Sequence, residues 1–181
     1  MINLNWDLSA LYENETALNM DLENAKERAK SFEMVCKGKF KTLHVNEFLE
    51  AIREYEAINE TLGRVMTYAF LNFATDSDKG GFYAKYQNEY TKIAEHLLFF
   101  ELEFNTLPKT KQEEFIAASA SYRYYLESLM LEKPHQLSQK EERILLKKEM
   151  TSSSAFSRLF DEHFSRLTFR YDKKLLRPYT V

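Results

Sequence analysis

Glycine and proline are scarce in this chain, with four and three among 181 residues. Turn-rich β architectures consume both, so their scarcity points to long helices. The single cysteine, Cys36, cannot close an internal disulfide, which suits a reducing compartment. No excess of basic charge exists: 25 Lys and Arg face 28 Asp and Glu, for a net charge of −3. A basic stripe for nucleic acid is therefore not expected. The least polar stretch, Val65 to Thr75, falls well short of the roughly 20 apolar residues of a membrane helix. The opening MINLNWDLSALYENE lacks a basic region followed by an apolar run, so it does not read as a signal peptide. A soluble, cytoplasmic chain is expected, with no nucleic-acid or membrane partner.

What is present suffices for a core: 44% of residues are hydrophobic and 14% aromatic, in a length that favours one domain. Leu18, Leu22, Ala25, Ala29 and Phe32 recur at three and four residues, predicting a helix over about 16–36 that ends at Lys37-Gly38. Asn46 is a suitable N-cap for a second helix. Its stripe runs Phe48, Ile52, Tyr55, Ile58, Leu62, Val65, Ala69, Phe73, to about Thr75. DSDKGG (76–81) breaks it. A third helix carries Tyr83, Tyr86, Tyr90, Ile93, Leu97 and Phe104, and Pro108 marks its end. A fourth helical region spans about 110–131 with a break near Ser119–Ser121, a fifth starts at Ser138, and a sixth covers about 155–166. Leu167, Phe169 and Tyr171 alternate with Thr168 and Arg170, a period of two that predicts a short strand. The expected fold is mostly α, an antiparallel multi-helix bundle with a short β-strand near the C-terminus.

FDEHF, Phe160 to Phe164, offers the one cluster suggestive of metal or proton chemistry. Neighbours on a helix point about 100° apart, so Asp161, Glu162 and His163 cannot converge on one ion. The helix pattern instead turns Phe156, Leu159, Phe160, Phe164 and Leu167 toward a core, and leaves Glu162 to pair with Arg158 or Arg166. His96 falls on a polar face and His44 and His135 in connectors, where solvation and local hydrogen bonds are the ordinary explanation. No H-E-x-x-H, CxxC, G-x-S-x-G or phosphate-binding glycine loop occurs. The series Tyr83, Tyr86, Tyr90 could stack bases, but without a basic groove packing is the better reading. Ser138 and Glu141 have the spacing of a capping box. The apolar staple that often accompanies it is missing, because its position holds Glu142. No residue is assigned a catalytic, cofactor-binding or metal-binding role.

The order of several segments carries a resemblance. WDLSALY (6–12), YEAINETLGRVMTYAFL (55–71), YLESLMLEKPHQLSQKEERIL (125–145) and AFSRLFDEHFSRLTFRYD (155–172) together resemble the N-terminal part of the oligoendopeptidase F family, within the thimet-oligopeptidase-like zinc metallopeptidases. The resemblance implies that residues 1–172 form an N-terminal helical domain. The tail 173–181 diverges where a catalytic domain would be expected to follow. It further implies a cytoplasmic enzyme whose N-terminal helices pack over the catalytic domain of the same polypeptide and wall a channel for short peptides. The family's zinc sits on the two histidines of H-E-x-x-H and a later glutamate, and none of these has a matching position here. Zinc is thus implied for the full-length enzyme, no cofactor for this chain, and no activity for the chain alone. Two readings stay open beside it: a free-standing helical interaction module, and a metal-binding regulator using Glu162 and His163.

Overall fold

The computed structural model describes residues 6–171 and 174–176. Three long helices form its centre: α1 (Glu15–Cys36), α2 (Val45–Thr75) and α3 (Gly80–Leu97). Each packs on the other two, and short connectors run them antiparallel. Burying one stripe per helix supplies the main driving force. On α1 that stripe is Leu18, Leu22, Ala25, Ala29 and Phe32, and on α2 it is Phe48, Ile52, Ile58, Leu62, Val65, Ala69 and Phe73. Both are the stripes that periodicity predicts, with Tyr55 half-buried in its place on α2.

Polar pairs fix the helices in register. Arg28 of α1 grips Glu54 of α2 through two bonds of 2.8 Å. The Tyr86 hydroxyl of α3 donates to Asn19 at 3.0 Å and Glu15 at 3.1 Å on α1. Arg64 on α2 meets both Asp21 and the hydroxyl of Tyr12. Lys37-Gly38 does end α1, and Gly38 takes φ +79°, where a side chain is strained. The amides of Gly38 and Phe40 then both donate to the Glu103 carboxylate, each at 2.7 Å.

The N-cap of the second helix lies two residues earlier than the expected Asn46. His44 is the N-cap, and its amide donates to Glu47 at 2.7 Å. The DSDKGG stretch does break the chain, as a 3₁₀ turn at Ser77–Lys79, but Gly80 and Gly81 already belong to α3. The third predicted helix is interrupted at Leu98, giving α3 and a separate α4 (Phe99–Thr106). Phe99 and Phe100 both lie in the core, Phe100 three residues after Leu97 and four before Phe104 on the same stripe. The fourth region divides as expected into α5 (Lys109–Ala118), a 3₁₀ turn at 120–122, and α6 (Arg123–Glu132). An aromatic cluster joins these parts. Phe48 stacks on Phe115 at 3.9 Å and lies near Phe40, Phe100 and Phe104.

The helices α7 (Gln139–Glu149) and α8 (Ser153–Arg166) close the helical part along α3, where Glu95 pairs with Lys147 at 3.1 Å. The Ser138 capping box forms: its amide donates to Glu141 at 2.9 Å, and its hydroxyl accepts from the Glu141 amide at 3.4 Å. Glu142, which displaces the staple, instead accepts from the Leu137 amide at 2.9 Å. The predicted strand shortens to β1 (Phe169–Tyr171) and pairs antiparallel with β2 (Lys174–Leu176), Phe169 opposite Leu176 and Tyr171 opposite Lys174. Of the tail 173–181, only 174–176 falls within the described residues. Among them no helix is long and apolar enough to cross a membrane.

Candidate functional site

The four histidines stay apart. His44 caps α2, His135 ends the exposed 3₁₀ turn at Lys133–His135, and His163 is exposed on α8. His96 does not point freely into solvent as its polar face suggests: Nδ1 lies 2.6 Å from Glu33 of α1. A partner on another helix is invisible to single-helix periodicity. Burial raises the Glu33 carboxyl, but hydrogen bonds from Lys37 and His96 outweigh it and hold the group below its usual range.

FDEHF lies on α8. Adjacent residues diverge as the helix geometry demands. Asp161 and His163 are exposed, while Glu162 turns inward toward Arg158 at 3.7 Å. Its carboxylate approaches Gly80, the first residue of α3, so closely that a β-carbon there would stand 2.0 Å from Oε1. That places a negative charge at a helix N-terminus, where the macrodipole favours it. Among the described residues no three His, Cys, Asp or Glu side chains gather closely enough to hold a metal ion.

The orientation of α8 overturns its expected packing. The residues turned toward the protein are Ala155, Arg158, Glu162 and Ser165, spaced three, four and three apart and half-buried, with Phe164 half-covered beside them. The stripe expected in the core faces outward instead: Phe156, Leu159 and Phe160 are 69%, 59% and 65% exposed, and Leu167 is exposed as well. The physical reason is the close approach at Gly80. The side of α8 that meets α3 is mostly polar, and its Glu162 carboxylate fits beside a residue without a side chain. On α7, Ile144 and Leu145 are also exposed, and neither helix holds a fully buried residue.

A second feature was not legible in the sequence. A groove of about 750 Å³ opens between α2, α4 and α6, lined among others by Tyr55, Glu56, Glu60, Glu101, Tyr122 and Tyr125. One oxygen of Glu101 accepts from Tyr55 at 3.2 Å and Tyr125 at 2.9 Å, and Glu56 accepts from Tyr122 at 2.6 Å. Tyr55 lies flat on Phe100, 4.2 Å between ring centres. Burial, reinforced by the Glu101 carboxylate, pushes the Tyr55 hydroxyl far above the usual phenol range. Tyr125 moves the same way through burial, then through its tyrosine neighbour and Glu101. Both phenols thus stay neutral donors. No signal in the sequence joins residues 55, 101 and 125, which meet only because three helices converge. The lining carries carboxylates and aromatic rings but neither a nucleophile with a base nor a metal-ligand set.

Comparison with known proteins gives concordant similarities. The family model described as Oligopeptidase F matches residues 103–169. The chain is 28% identical over 163 residues to oligopeptidase PepF of Bacillus subtilis, covering 84% of this chain and 24% of that protein. It is 29% identical over 150 residues to an oligoendopeptidase F homolog of Borreliella burgdorferi, covering 79% of this chain and 25% of that one. The crystal structure of oligoendopeptidase-F from Enterococcus faecium shares the fold, with a TM-score of 0.75 at 19% identity over 91% of this chain and 34% of that chain. The chain thus spans about a quarter of the length of the curated relatives it matches. Taken together, these matches show a chain that is similar to oligopeptidase F proteins over part of their length and that shares the helical fold of oligoendopeptidase-F.

Proposed function

We propose that residues 1–181 serve as scaffold and substrate-channel wall in a cytoplasmic zinc oligopeptidase that cleaves short peptides. In this reading the chemistry belongs to the catalytic domain of the same polypeptide. The observation that carries it is the fold shared with oligoendopeptidase-F over nearly the whole chain, supported by relatives about four times longer. Zinc does not fit the residues present. A catalytic zinc needs three protein ligands and an open position for water, and the histidines here are a helix cap, a hydrogen-bond partner of Glu33 and two separate exposed side chains. No reaction step therefore runs through this chain's own side chains. Its contribution is positional, through a rigid three-helix core that presents the acidic, tyrosine-lined groove and the outward stripe of α8.

The experiment compares residues 1–181 with the longer native polypeptide in a quenched-peptide assay, with and without a chelator. The longer protein is expected to carry H-E-x-x-H and to cleave in a chelator-sensitive manner, and residues 1–181 to be inert. Chelator-sensitive cleavage by residues 1–181 would overturn the reading, and so would a longer polypeptide without H-E-x-x-H.

A further inference from the structure

We infer that the crevice between α4 and α6 is a subsite for the arginine side chain of a short peptide. The inference rests on the reading that short peptides are this protein's ligands, and it adds where one of their residues is held and by what chemistry.

Two observations carry it. The first is a pair of cavities with one sign of charge. The groove at Tyr55, Tyr122 and Tyr125 meets a smaller cavity of about 270 Å³ at Glu101, which lines both. Glu56 and Glu60 stand in the wall of the groove, Glu132 and Glu142 in that of the smaller cavity, and neither wall holds a lysine or arginine. Elsewhere half-buried carboxylates have cations: Glu33 has Lys37, Glu54 has Arg28, Glu95 has Lys147 and Glu162 has Arg158. Glu101 and Glu142 are also half-buried, and among the described residues neither has one. Glu101 receives two phenols on one oxygen, and Glu142 the Leu137 amide. A carboxylate drawn out of water without a counter-charge is costly, so a cation carried by a ligand gains most at such a place.

The second observation is an orphaned acceptor. Asn105 follows Glu101 by one turn of α4, lines the smaller cavity and is only 4% exposed. Its Nδ2 donates to Gln136 at 2.8 Å, which fixes the carboxamide, and its Oδ1 is buried without a hydrogen-bond partner. Buried acceptors in folded proteins are nearly always satisfied. Carboxylates and an amide oxygen are all acceptors, so the ligand they fit is a cation with several donors. A guanidinium presents five N–H groups in one plane and can lie on a phenol ring, and Tyr55 and Tyr125 stand on the groove side of Glu101. An ammonium offers three donors and no flat face. The smaller cavity has room for one side chain rather than a folded partner.

Calorimetric titration of residues 1–181 tests the subsite, with a capped alanine–arginine–alanine peptide and its citrulline analogue, which keeps the shape and loses the charge. The arginine peptide should bind saturably, and the citrulline peptide about tenfold more weakly or worse, the loss expected for one charge-assisted hydrogen bond. Glu101→Gln and Glu132→Gln should each weaken the arginine peptide and leave the citrulline peptide unchanged. Glu132 is exposed and, among the described residues, without a partner, so its variant keeps the fold even if Glu101→Gln does not. Equal affinity for the two peptides would overturn the subsite. So would no binding at about 1 mM peptide, or an arginine affinity unaltered in both variants. Spermidine that displaces the arginine peptide at far lower concentration would overturn it too, since the occupant would then be a free polyamine. The peptidase reading fails separately. A longer polypeptide that binds the arginine peptide yet cleaves nothing keeps the subsite and loses the peptidase, and chelator-sensitive cleavage without charge-dependent binding does the reverse.

Discussion

Glu162 occupies the space that a side chain on residue 80 would need. A β-carbon at Gly80 would lie 2.0 Å from Oε1 and 3.0 Å from the carboxyl carbon. Alanine there must displace the Glu162 carboxylate and strain its pairing with Arg158. Glycine-to-alanine in a helix otherwise gains about 0.5–1 kcal/mol, so overall stability of Gly80→Ala should change little. The effect should appear locally, as faster amide exchange across α8 with α1 and α2 unaltered. Unchanged α8 exchange would mean that the approach does not hold the helix.

The contrast between Phe48 and Phe160 gives a second test. Phe48 is fully buried and stacked on Phe115, so Phe48→Ala should cost about 3–5 kcal/mol in urea denaturation. Phe160 is exposed, and Phe160→Ala in residues 1–181 should stay within roughly 0.5 kcal/mol. Comparable losses at the two sites would place α8 inside the cooperative core.

Glu101 accepts from two phenols with one oxygen. Truncation to alanine leaves both donors without that partner, at about 2–3 kcal/mol, since hydrogen bonds to charged groups are the stronger kind. Glu101→Gln keeps an acceptor and should cost clearly less. Denaturation midpoints that do not separate the two variants would show that the carboxylate is not the organising group.

The same cluster sets an alkaline limit. The Tyr55 and Tyr125 phenols are raised above the ordinary value of 10.0. A raised folded-state pKa gives stability that is complete below the unfolded value and is lost as pH climbs past it. Above pH 10 each tyrosine should therefore destabilise the fold by up to about 1.4 kcal/mol per pH unit. Phenolate absorbance should rise in two stages, the second coinciding with loss of helical dichroism. A single stage complete before unfolding would contradict the buried assignment. At the acid end the sign reverses. Glu54, held low mainly by its hydrogen bond from Arg28 against the opposing effect of burial, contributes stability present above the ordinary 4.5 and lost as pH falls further.

Ser138→Ala removes an N-cap acceptor, an effect of about 1 kcal/mol in the helix it starts. Because α7 has no buried residue, the loss should appear as fraying of 139–149 in exchange experiments. Identical α7 protection in the variant would discount the cap.

Periodicity located the central helices because each buries one continuous stripe, as Leu18 to Phe32 and Phe48 to Phe73 do. The same rule misplaced α8. A pattern such as Phe156, Leu159, Phe160 says that a face seeks cover, but not what supplies it, and here the polar side meets α3. Phe99 and Phe100 also belong to the core: Phe100 continues the three-and-four spacing from Leu97 to Phe104, and only Phe99 departs from it. The Glu33–His96 pair and the phenol pair on Glu101 join residues 63, 46 and 24 positions apart, and nothing local encodes such meetings. The Ser138 cap is borne out, because Ser138 and Glu141 need only three residues of context, whereas the cap expected at Asn46 falls at His44.

The mutual packing of α1, α2 and α3 also orders events in time. Helices adjacent in sequence meet without closing long loops, and chains with such local contacts fold quickly. The Glu103 carboxylate that ties down the amides of Gly38 and Phe40 arrives only with α4. On a ribosome, then, the three-helix core can assemble first, be locked at its α1–α2 connector next, and receive α7 and α8 last. A fragment ending at residue 118, free of the ribosome, should already hold a protease-resistant core, whereas one that stops before Glu103 would lack the tie on the α1–α2 connector.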